Sequence, residues 1–203
     1  MINFDEVLNG IDFTYFDGEA ANLIKSRHEQ WCEGATKLVL LDNDLVYKIP
    51  YMGEDGYDFL NAGGELGYDY CDSEVANWEM AVRYGVADFF VETKLLCNYR
   101  DYPIYVQKRV QLFSERYDSS ELDIWSESEE GSRSISYLEN QELLDITQLP
   151  AKWLDDAMKI YGEAKVVKLL EFLEDEGIND CRAGNIGYDG DRPVIFDYAG
   201  FYE

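Results

Sequence analysis

The sequence has few of the residues that most often serve as nucleophile partners or zinc ligands. It contains a single histidine, His28, and four cysteines. No two cysteines form a C-x-x-C pair, and His28 lies between Arg27 and Glu29 in a polar stretch. A structural zinc site needs several such ligands at close spacing, and Ser-His or Cys-His catalysis needs a histidine placed as a base. We therefore expect reduced cysteines that pack as small apolar residues, and we assign acid–base chemistry to carboxylates.

Long apolar runs and basic residues are also scarce. No run approaches the roughly 18 apolar residues of a membrane-crossing helix, and the N-terminus is acidic where a signal peptide is basic. These features predict a cytoplasmic protein that does not enter a membrane. With 17 Lys and Arg against 42 Asp and Glu, the formal net charge is −25. Such a surface repels phosphate backbones, so we expect no direct nucleic-acid binding.

Apolar and aromatic residues are abundant, at 46% and 15% of the 203 residues. This composition predicts a folded protein, because it supplies enough buried surface to offset the chain entropy lost on folding. The length fits one domain or two small lobes. The acidic excess, which is dense in residues 54–72 and 115–130, has two interpretations. It confers solubility, or it imitates a polyanion that occupies the basic groove of a protein partner.

Turn residues and the spacing of apolar residues predict the local structure of the first half of the chain. The predicted elements are a helix at 19–32, a hairpin of 37–41 and 45–50, a helix from the candidate N-caps Asp72 and Ser73 to Gly85, and a hairpin of 89–96 and 102–110. In the second helix Val75, Trp78 and Val82 recur at helical spacing and are expected to face the core. Residues 51–71 lack a regular pattern, which indicates a loop.

The second half predicts mainly helices and one short hairpin. The predicted elements are a linker or exposed acidic helix at 114–135, helices at 139–146, 151–158 and 164–176, and a hairpin at 185–196. Gly177 is expected to end the last helix, and the hairpin ends at Asp197. Together with the first half, this pattern indicates an α+β protein.

Asp180, Asn185 and Asp197 have the chemical types that phosphate transfer to a hydroxyl requires. A carboxylate orients the acceptor, a carboxylate and an amide oxygen bind Mg²⁺, and a cation contacts the nucleotide phosphates. Asp180 and Asn185 form a D-x-x-x-x-N motif in a loop after a helix, and Asp197 follows the next hairpin. A lone carboxylate directly after an apolar strand is costly to bury without a cation, which favours a functional interpretation of Asp197.

These segments resemble two motifs of the protein-kinase-like fold: the D-x-x-x-x-N catalytic loop, and the metal-binding D-F-G segment, here Asp197-Tyr-Ala-Gly. In size and in this ending the chain is also similar to small kinase-like proteins of bacteriophages and mobile elements. The resemblance implies that Asp180 orients or deprotonates the acceptor and that Arg182 neutralises the transferring phosphoryl group. It further implies that Asn185 and Asp197 bind Mg²⁺.

The resemblance extends upstream to Lys48, which would hold the ATP phosphates while Glu74 fixes its side chain. Glu79 lies five residues further along the same helix, and the sequence does not decide which glutamate pairs with Lys48. Without the motif, Lys48 has an ordinary interpretation as a solvated lysine at the end of a strand. The residues expected to contact the nucleotide are Gly34, Val46, Lys48, Lys108 and Val110.

The implied fold is a two-lobed, protein-kinase-like fold with a small β-rich N-lobe at residues 1–110 and a truncated, mainly helical C-lobe at residues 111–203. Ile178-Asn179 replace the usual His-Arg, and no A-P-E motif follows Asp197. The first hypothesis is a minimal kinase that uses ATP and Mg²⁺ on a protein Ser or Thr hydroxyl. The alternative is a pseudokinase-like binding protein whose acidic surface inhibits a basic host nucleic-acid-binding or defence protein. A magnesium-dependent phosphatase or nucleotidyl transferase on an unrelated fold is a third hypothesis.

Overall fold

The computed structural model describes residues 2–13, 16, 18–34, 36–51, 70–141, 143 and 148–199. Within these residues the chain has a five-stranded sheet, a three-stranded sheet and eight α-helices, which confirms the predicted α+β class. The chain divides into two compact units. Unit 1 comprises Met1–Ala76 and Glu92–Arg109, and unit 2 comprises Asn77–Val91 and Val110–Glu203.

Unit 1 is built on the five-stranded antiparallel sheet, with strand order β1-β2-β3-β5-β4. Its elements are helices Phe4–Val7 (α1) and Gly18–Arg27 (α2), strands Trp31–Glu33 (β1), Lys37–Leu41 (β2), Leu45–Pro50 (β3), Thr93–Tyr99 (β4) and Tyr102–Lys108 (β5), and the first part of helix Tyr70–Tyr84 (α3). The predicted hairpin of β2 and β3 is confirmed. The turn between β4 and β5 has Arg100 and Asp101 in the left-handed region, at φ 50° and 67°, as tight hairpin turns require.

One face of this sheet forms the apolar core of unit 1. Side chains of a strand alternate between faces, so every second residue of β2 and β3 points the same way. Leu38 and Leu40 of β2 and Tyr47 and Ile49 of β3 are all buried on this face. They cluster with buried residues of α2, including Ile24. The residues between them in sequence, which include Val39 and Lys48, point to the other face.

Unit 2 combines helices with the three-stranded antiparallel sheet, in the order β6-β7-β8. Its further elements are strand Gln111–Leu112 (β6), helices Phe113–Arg116 (α4), Ser119–Glu127 (α5), Glu129–Asn140 (α6), Ala151–Tyr161 (α7) and Glu163–Asp175 (α8), and strands Ile186–Asp189 (β7) and Arg192–Ile195 (β8). Its core includes Trp153 of α7, Leu169 and Phe172 of α8, and Ile186 of β7, all fully buried. The predicted helix at 164–176, its stop at Gly177 and the final hairpin are confirmed as α8, β7 and β8.

Two predicted elements have different bounds in the structure. The helix predicted at 19–32 ends at Arg27, because Trp31–Glu33 pairs with β2 as an edge strand. The strand predicted at 89–96 begins only at Thr93, because Ala87–Phe89 forms a 3₁₀ turn. In the first case pairing with β2 outweighs the local preference for a helix.

The prediction for α3 is wrong in its start and only partly right in its buried face, where Trp78 packs against the core of unit 2. The helix begins at Tyr70, and the carboxylate of Asp72 accepts a hydrogen bond from Tyr105 Oη at 2.6 Å instead of capping the helix. Val82 is 48% exposed. The residues of α3 that are buried are Cys71, Ser73, Glu74, Asn77 and Ala81. Polar residues occupy this face, so apolar periodicity did not reveal it.

The segment predicted as a linker or exposed acidic helix forms helices α4, α5 and α6. Asp118 caps α5 by accepting from the Glu121 backbone N–H at 2.9 Å, while the Glu121 carboxylate accepts from the Asp118 N–H at 2.9 Å. Of the helix predicted at 139–146, Glu139 and Asn140 form the end of α6, Gln141 and Leu143 lie in turns, and residues 142 and 144–147 lie outside the described residues. The predicted loop at 51–71 lies largely outside them too.

Candidate functional site

In unit 1, the carboxylate of Glu74 binds two lysines. Its Oε1 accepts a hydrogen bond from Lys37 Nζ at 2.6 Å, and its Oε2 accepts one from Lys48 Nζ. Glu74 is fully buried, and Lys37 and Lys48 are only 4% and 3% exposed. Burial of a charge is costly unless the charge is paired and hydrogen-bonded, and each oxygen of Glu74 faces an ammonium group. Lys48 is therefore not the solvated strand-end lysine of the ordinary interpretation.

The register of the sheet explains why both lysines reach one carboxylate. Lys48 of β3 lies opposite Val39 of β2, and Lys37 is two residues from Val39 on the same strand. Directly opposed residues and residues two apart point to the same face of a sheet. Both lysine side chains therefore extend from the face of the sheet opposite the apolar core, and Glu74 accepts hydrogen bonds from them there.

Thr93 and Gln107 extend this cluster across the sheet. Thr93 Oγ1 donates to Glu74 Oε2 at 2.7 Å and accepts from Gln107 Nε2 at 3.0 Å. The two residues are directly opposed on β4 and β5, and both are buried. The side chain of Lys48 is therefore positioned by a hydrogen-bonded network with members on three strands and a helix.

Glu79 is excluded as the partner of Lys48. It is exposed on α3 and lies 3.5 Å from Arg83, one helical turn further on. Five residues separate the two glutamates, which places them on different faces of the helix. Only the tertiary structure decides that Glu74 is the residue that pairs with Lys48.

The residues expected to contact the nucleotide are not all on the face that carries Lys48. Val46 of β3 is two residues from Lys48 and shares its face. Lys108 is exposed, lies opposite Leu45, and points to the other face. Gly34 is exposed, and its N–H donates to Lys37 O at 3.0 Å, while Ala35 lies outside the described residues. Val110 follows β5 and belongs to unit 2.

In unit 2, the D-x-x-x-x-N motif forms a closed turn. Asn185 Nδ2 donates to Asp180 O at 2.7 Å and to Asp180 Oδ2 at 2.8 Å. The backbone N–H of Asn185 donates to Arg182 O at 2.8 Å. Arg182 Nε lies 3.2 Å from Asp180 Oδ1, and the side chain of Arg182 is 64% exposed against 16% for Asp180. The turn thus combines a largely buried carboxylate with a guanidinium group that reaches solvent.

The β7–β8 hairpin brings Asp197 to this turn. Ile186 lies opposite Ile195, so Asn185 and Phe196 meet at the open end of the hairpin. The carbonyl of Asn185 accepts hydrogen bonds from the N–H groups of Phe196 at 3.0 Å and Asp197 at 3.3 Å. One residue, Asn185, therefore binds Asp180 through its side chain and Asp197 through its backbone.

The pKa of the Cys181 thiol depends on burial and on the charges of this cluster. Its side chain is fully buried, and burial, followed by the charges of Asp180 and Asp197, raises the pKa of its thiol to about 12. A thiol with such a pKa is protonated near neutral pH and is a poor nucleophile. Cys181 is therefore not a candidate nucleophile, which leaves the carboxylates of Asp180 and Asp197 as the candidate acid–base groups.

The residues of the cluster fit Mg²⁺ by donor chemistry. Asn185 directs its amide nitrogen at Asp180, which leaves its amide oxygen, the atom that binds metals, for another partner. Asp197 adds a carboxylate. Among the residues that the structure describes, no group of three or more His, Cys, Asp or Glu side chains is placed to hold a metal. Mg²⁺ typically completes its coordination with water and substrate phosphates, so two protein ligands are enough.

Three residues that sequence reasoning did not single out belong to these networks. Lys37 and Thr93 bind Glu74, and Asn77 Nδ2 donates to Tyr198 O at 2.8 Å. The register of the predicted β2–β3 hairpin contains a signal for Lys37, because it places Lys37 and Lys48 on one face. For Thr93 and Asn77 no local signal exists, since their partners are distant in sequence.

The chain matches no protein-family model, no curated protein and no solved structure. Among the described residues, none of the helices has the length and apolar character that crossing a membrane requires. The chain is an α+β protein with a buried Glu-Lys cluster in unit 1 and an Asp-Asn-Asp cluster in unit 2.

Proposed function

We propose that the chain is a small kinase-like phosphotransferase that binds ATP and Mg²⁺ and phosphorylates a Ser or Thr hydroxyl of a protein. The observation that carries the proposal is the cluster of Asp180, Asn185 and Asp197, in which one asparagine bonds both aspartates. These residue types, in this order, match the catalytic loop and metal-binding segment that the sequence resembles.

The residues of unit 2 supply the chemistry of the proposed transfer. The acceptor hydroxyl oxygen attacks the γ-phosphorus of ATP, a new O–P bond forms, and the bond to the bridging oxygen of the leaving ADP breaks. Asp180 orients the hydroxyl and takes its proton. The exposed guanidinium of Arg182, beside Asp180, stabilises the charge on the transferring group. Asn185 and Asp197 would hold Mg²⁺, which would supply positive charge to the phosphate oxygens.

The residues of unit 1 supply the cation for the nucleotide. Lys48 contacts the α and β phosphates, and Glu74 holds its side chain in place. The hydrogen bonds from Lys37 and Thr93 to Glu74 support this role, because they leave the carboxylate little freedom to move. Val46, on the same face of the sheet, is proposed to contact the nucleotide base.

The proposed fold is kinase-like, with residues 1–110 as a β-rich N-lobe and residues 111–203 as a mainly helical C-lobe. The order of elements supports it: a strand with Lys48, a helix with Glu74, a strand pair, helices, and a hairpin that ends at Asp197. The proposed location is the cytoplasm.

Two measurements test the function. In the first, thermal unfolding of the wild-type chain is followed with ATP alone and with ATP plus Mg²⁺. We expect the unfolding temperature to rise only when Mg²⁺ is present, because a ligand that binds only the folded state stabilises it. In the second, transfer of ³²P from ATP to a basic protein mixture is followed with and without EDTA. We expect Asp180→Asn to lower transfer at least 100-fold.

Asp191→Asn is the matched control for Asp180→Asn. Asp191 lies in the turn of the β7–β8 hairpin, is exposed, and forms an ion pair with Arg116 at 3.1 Å. The control should keep full transfer. Transfer that persists in EDTA or in Asp180→Asn would refute the mechanism. An unfolding temperature that ATP does not change, with or without Mg²⁺, would refute the kinase assignment.

A second candidate function is a binding protein whose acidic surface inhibits a basic nucleic-acid-binding partner. The observation that favours it is the exposure of the acidic residues in α5 and α6, which are Glu121, Asp123, Glu127, Glu129, Glu130 and Glu139. The test is competition with double-stranded DNA for a histone octamer, used as a basic probe, across a salt series. A polyanion mimic should lose affinity steeply as salt rises. Competition that salt does not weaken, or no competition at all, would refute this function.

A further inference from the structure

We infer that Asn77 is a positioning residue that holds the segment around Asp197 in the conformation that binds the metal; the inference deepens the proposed function and rests on it. Asn77 belongs to the part of α3 that lies in unit 2, together with Asp197. Its role follows from the contacts on the two sides of Asp197.

The backbone on the N-terminal side of Asp197 is bound by Asn185. The Asn185 carbonyl accepts from the N–H groups of Phe196 and Asp197, at 3.0 and 3.3 Å. These two bonds continue the antiparallel pairing of β7 and β8 by one step. They fix where the segment leaves the hairpin, but they do not fix the peptide that follows Asp197.

The backbone on the C-terminal side is bound by Asn77. Asn77 Nδ2 donates to the carbonyl of Tyr198 at 2.8 Å, across 121 residues of sequence. Both residues are buried, with Asn77 3% and Tyr198 1% exposed. A buried carbonyl keeps its partner because leaving it unsatisfied is costly. The direction of the Tyr198 carbonyl is therefore set by Asn77.

The side chain of Tyr198 gives the segment a separate anchor. Its Oη donates to Val91 O at 2.9 Å, and its ring lies 5.0 Å from the ring of Phe90 in an edge-on arrangement. With the ring fixed by these contacts and the carbonyl by Asn77, Tyr198 and the peptide that follows it have little freedom, so the residue joined directly to Asp197 is held in place. Asp197 itself is only half-buried.

Metal binding depends on this rigidity. A carboxylate must be held within about 0.5 Å of its productive position to keep the geometry that Mg²⁺ demands. Without Asn77 the peptide between Tyr198 and Ala199 loses the donor that orients it, so the backbone of Tyr198 shifts and moves Asp197, to which it is joined. The effect on the metal is indirect, so nucleotide binding without metal should not change.

The experiment compares Asn77→Leu, which is close in size and has no donor, with Asn77→Ser, which keeps a shorter donor and guards against a variant that does not fold. The matched control is Tyr161→Phe. Tyr161 Oη donates to Asp88 O and Pro193 O at 3.0 Å, so its loss removes side chain to backbone bonds in unit 2 without touching the Asp197 segment.

Two readouts are measured. Hydrogen exchange of the Phe196 and Asp197 amides reports the conformation of the segment, and we expect exchange at least 10-fold faster in Asn77→Leu and little changed in Tyr161→Phe. Electron paramagnetic resonance titration with Mn²⁺ in the presence of ADP reports the metal site. We expect at least 10-fold weaker Mn²⁺ affinity in Asn77→Leu, a smaller loss in Asn77→Ser, and unchanged ADP binding without metal.

The outcomes separate this inference from the proposed function. Wild-type exchange and wild-type Mn²⁺ affinity in both Asn77 variants would overturn the positioning role, as would equal effects in Tyr161→Phe. If the wild-type chain binds no Mn²⁺ with ADP, the proposed function fails. Hydrogen exchange then decides the role of Asn77 by itself: faster exchange in Asn77→Leu supports it, and unchanged exchange overturns it.

Discussion

Replacing Glu74 by glutamine is the most direct test of the buried charge cluster in unit 1. The fully buried carboxylate accepts hydrogen bonds from Lys37, Lys48 and Thr93, and the two lysines are themselves buried. Glutamine keeps the shape of the side chain and removes its charge. The ammonium groups then lose the carboxylate that they share, in a region from which water is excluded.

Removing one partner of a buried ion pair costs about 3–5 kcal/mol, and we expect the free energy of unfolding of Glu74→Gln to fall by this amount. Lys37→Met is expected to cost less, about 2 kcal/mol, since the Lys48–Glu74 pair remains and the lost bond is one hydrogen bond to a charged group. A larger loss of stability in Glu74→Gln than in Lys37→Met indicates that the two lysines share one carboxylate and do not form two independent ion pairs.

Urea unfolding followed by circular dichroism measures the loss of stability. With a slope of about 2 kcal/mol per M, a cost of 4 kcal/mol lowers the midpoint by about 2 M. Hydrogen exchange of peptides from residues 36–51 assigns the loss to unit 1. These peptides cover β2 and β3, which carry Lys37 and Lys48.

Glu79→Gln is the matched control, because Glu79 is on the same helix and its ion pair with Arg83 is exposed. Exposed pairs at this spacing contribute about 0.3–0.5 kcal/mol, so the midpoint should shift by no more than about 0.3 M. Equal midpoints for Glu74→Gln and Glu79→Gln would refute the conclusion that the Glu74 cluster stabilises unit 1.

Three further outcomes are expected. Gly187→Ala should destabilise the chain by about 1–3 kcal/mol in urea unfolding, because its Cβ would overlap the Gln111 carbonyl oxygen, whereas Gly184→Ala, with open space around it, should not. Burial raises the pKa of Tyr161 to about 12. Its stabilising contribution is complete below about pH 10 and is lost as pH rises through 12, so stability should fall less steeply in Tyr161→Phe over this range. In native protein at pH 8, Ellman's reagent should modify exposed Cys97 quickly and buried Cys181 slowly, and equal rates would contradict the assigned burial.

Several elements of the fold could be predicted from local pattern. The β2–β3 hairpin, α8 with its stop at Gly177, and the β7–β8 hairpin appear where apolar spacing and turn residues indicate them. Their hydrogen bonds join residues close in sequence, so local preferences and tertiary structure agree. The bounds of α2 and β4 differ from the prediction, because Trp31–Glu33 pairs with β2 as an edge strand and β4 begins only after the 3₁₀ turn at Ala87–Phe89.

The buried face of α3 shows why apolar periodicity does not predict burial where the buried residues are polar. Apolar spacing selected Val82, which is exposed, and passed over Glu74 and Asn77, which are buried. Glu74 is buried because Lys37 and Lys48 neutralise it, and Asn77 because the Tyr198 carbonyl accepts from it. Hydrophobic periodicity carries no information about such pairing.

The sequence by itself determined the chemistry of the D-x-x-x-x-N turn, since Asp180 and Asn185 are five residues apart and a single turn brings their side chains together. It also determined that Asp197 follows the hairpin. Only the tertiary structure decided that Glu74 rather than Glu79 binds Lys48, that Lys37 shares this carboxylate, and that Asn77 holds Tyr198. These contacts join residues 26 to 121 positions apart, and their geometry exists only after strands and helices have packed.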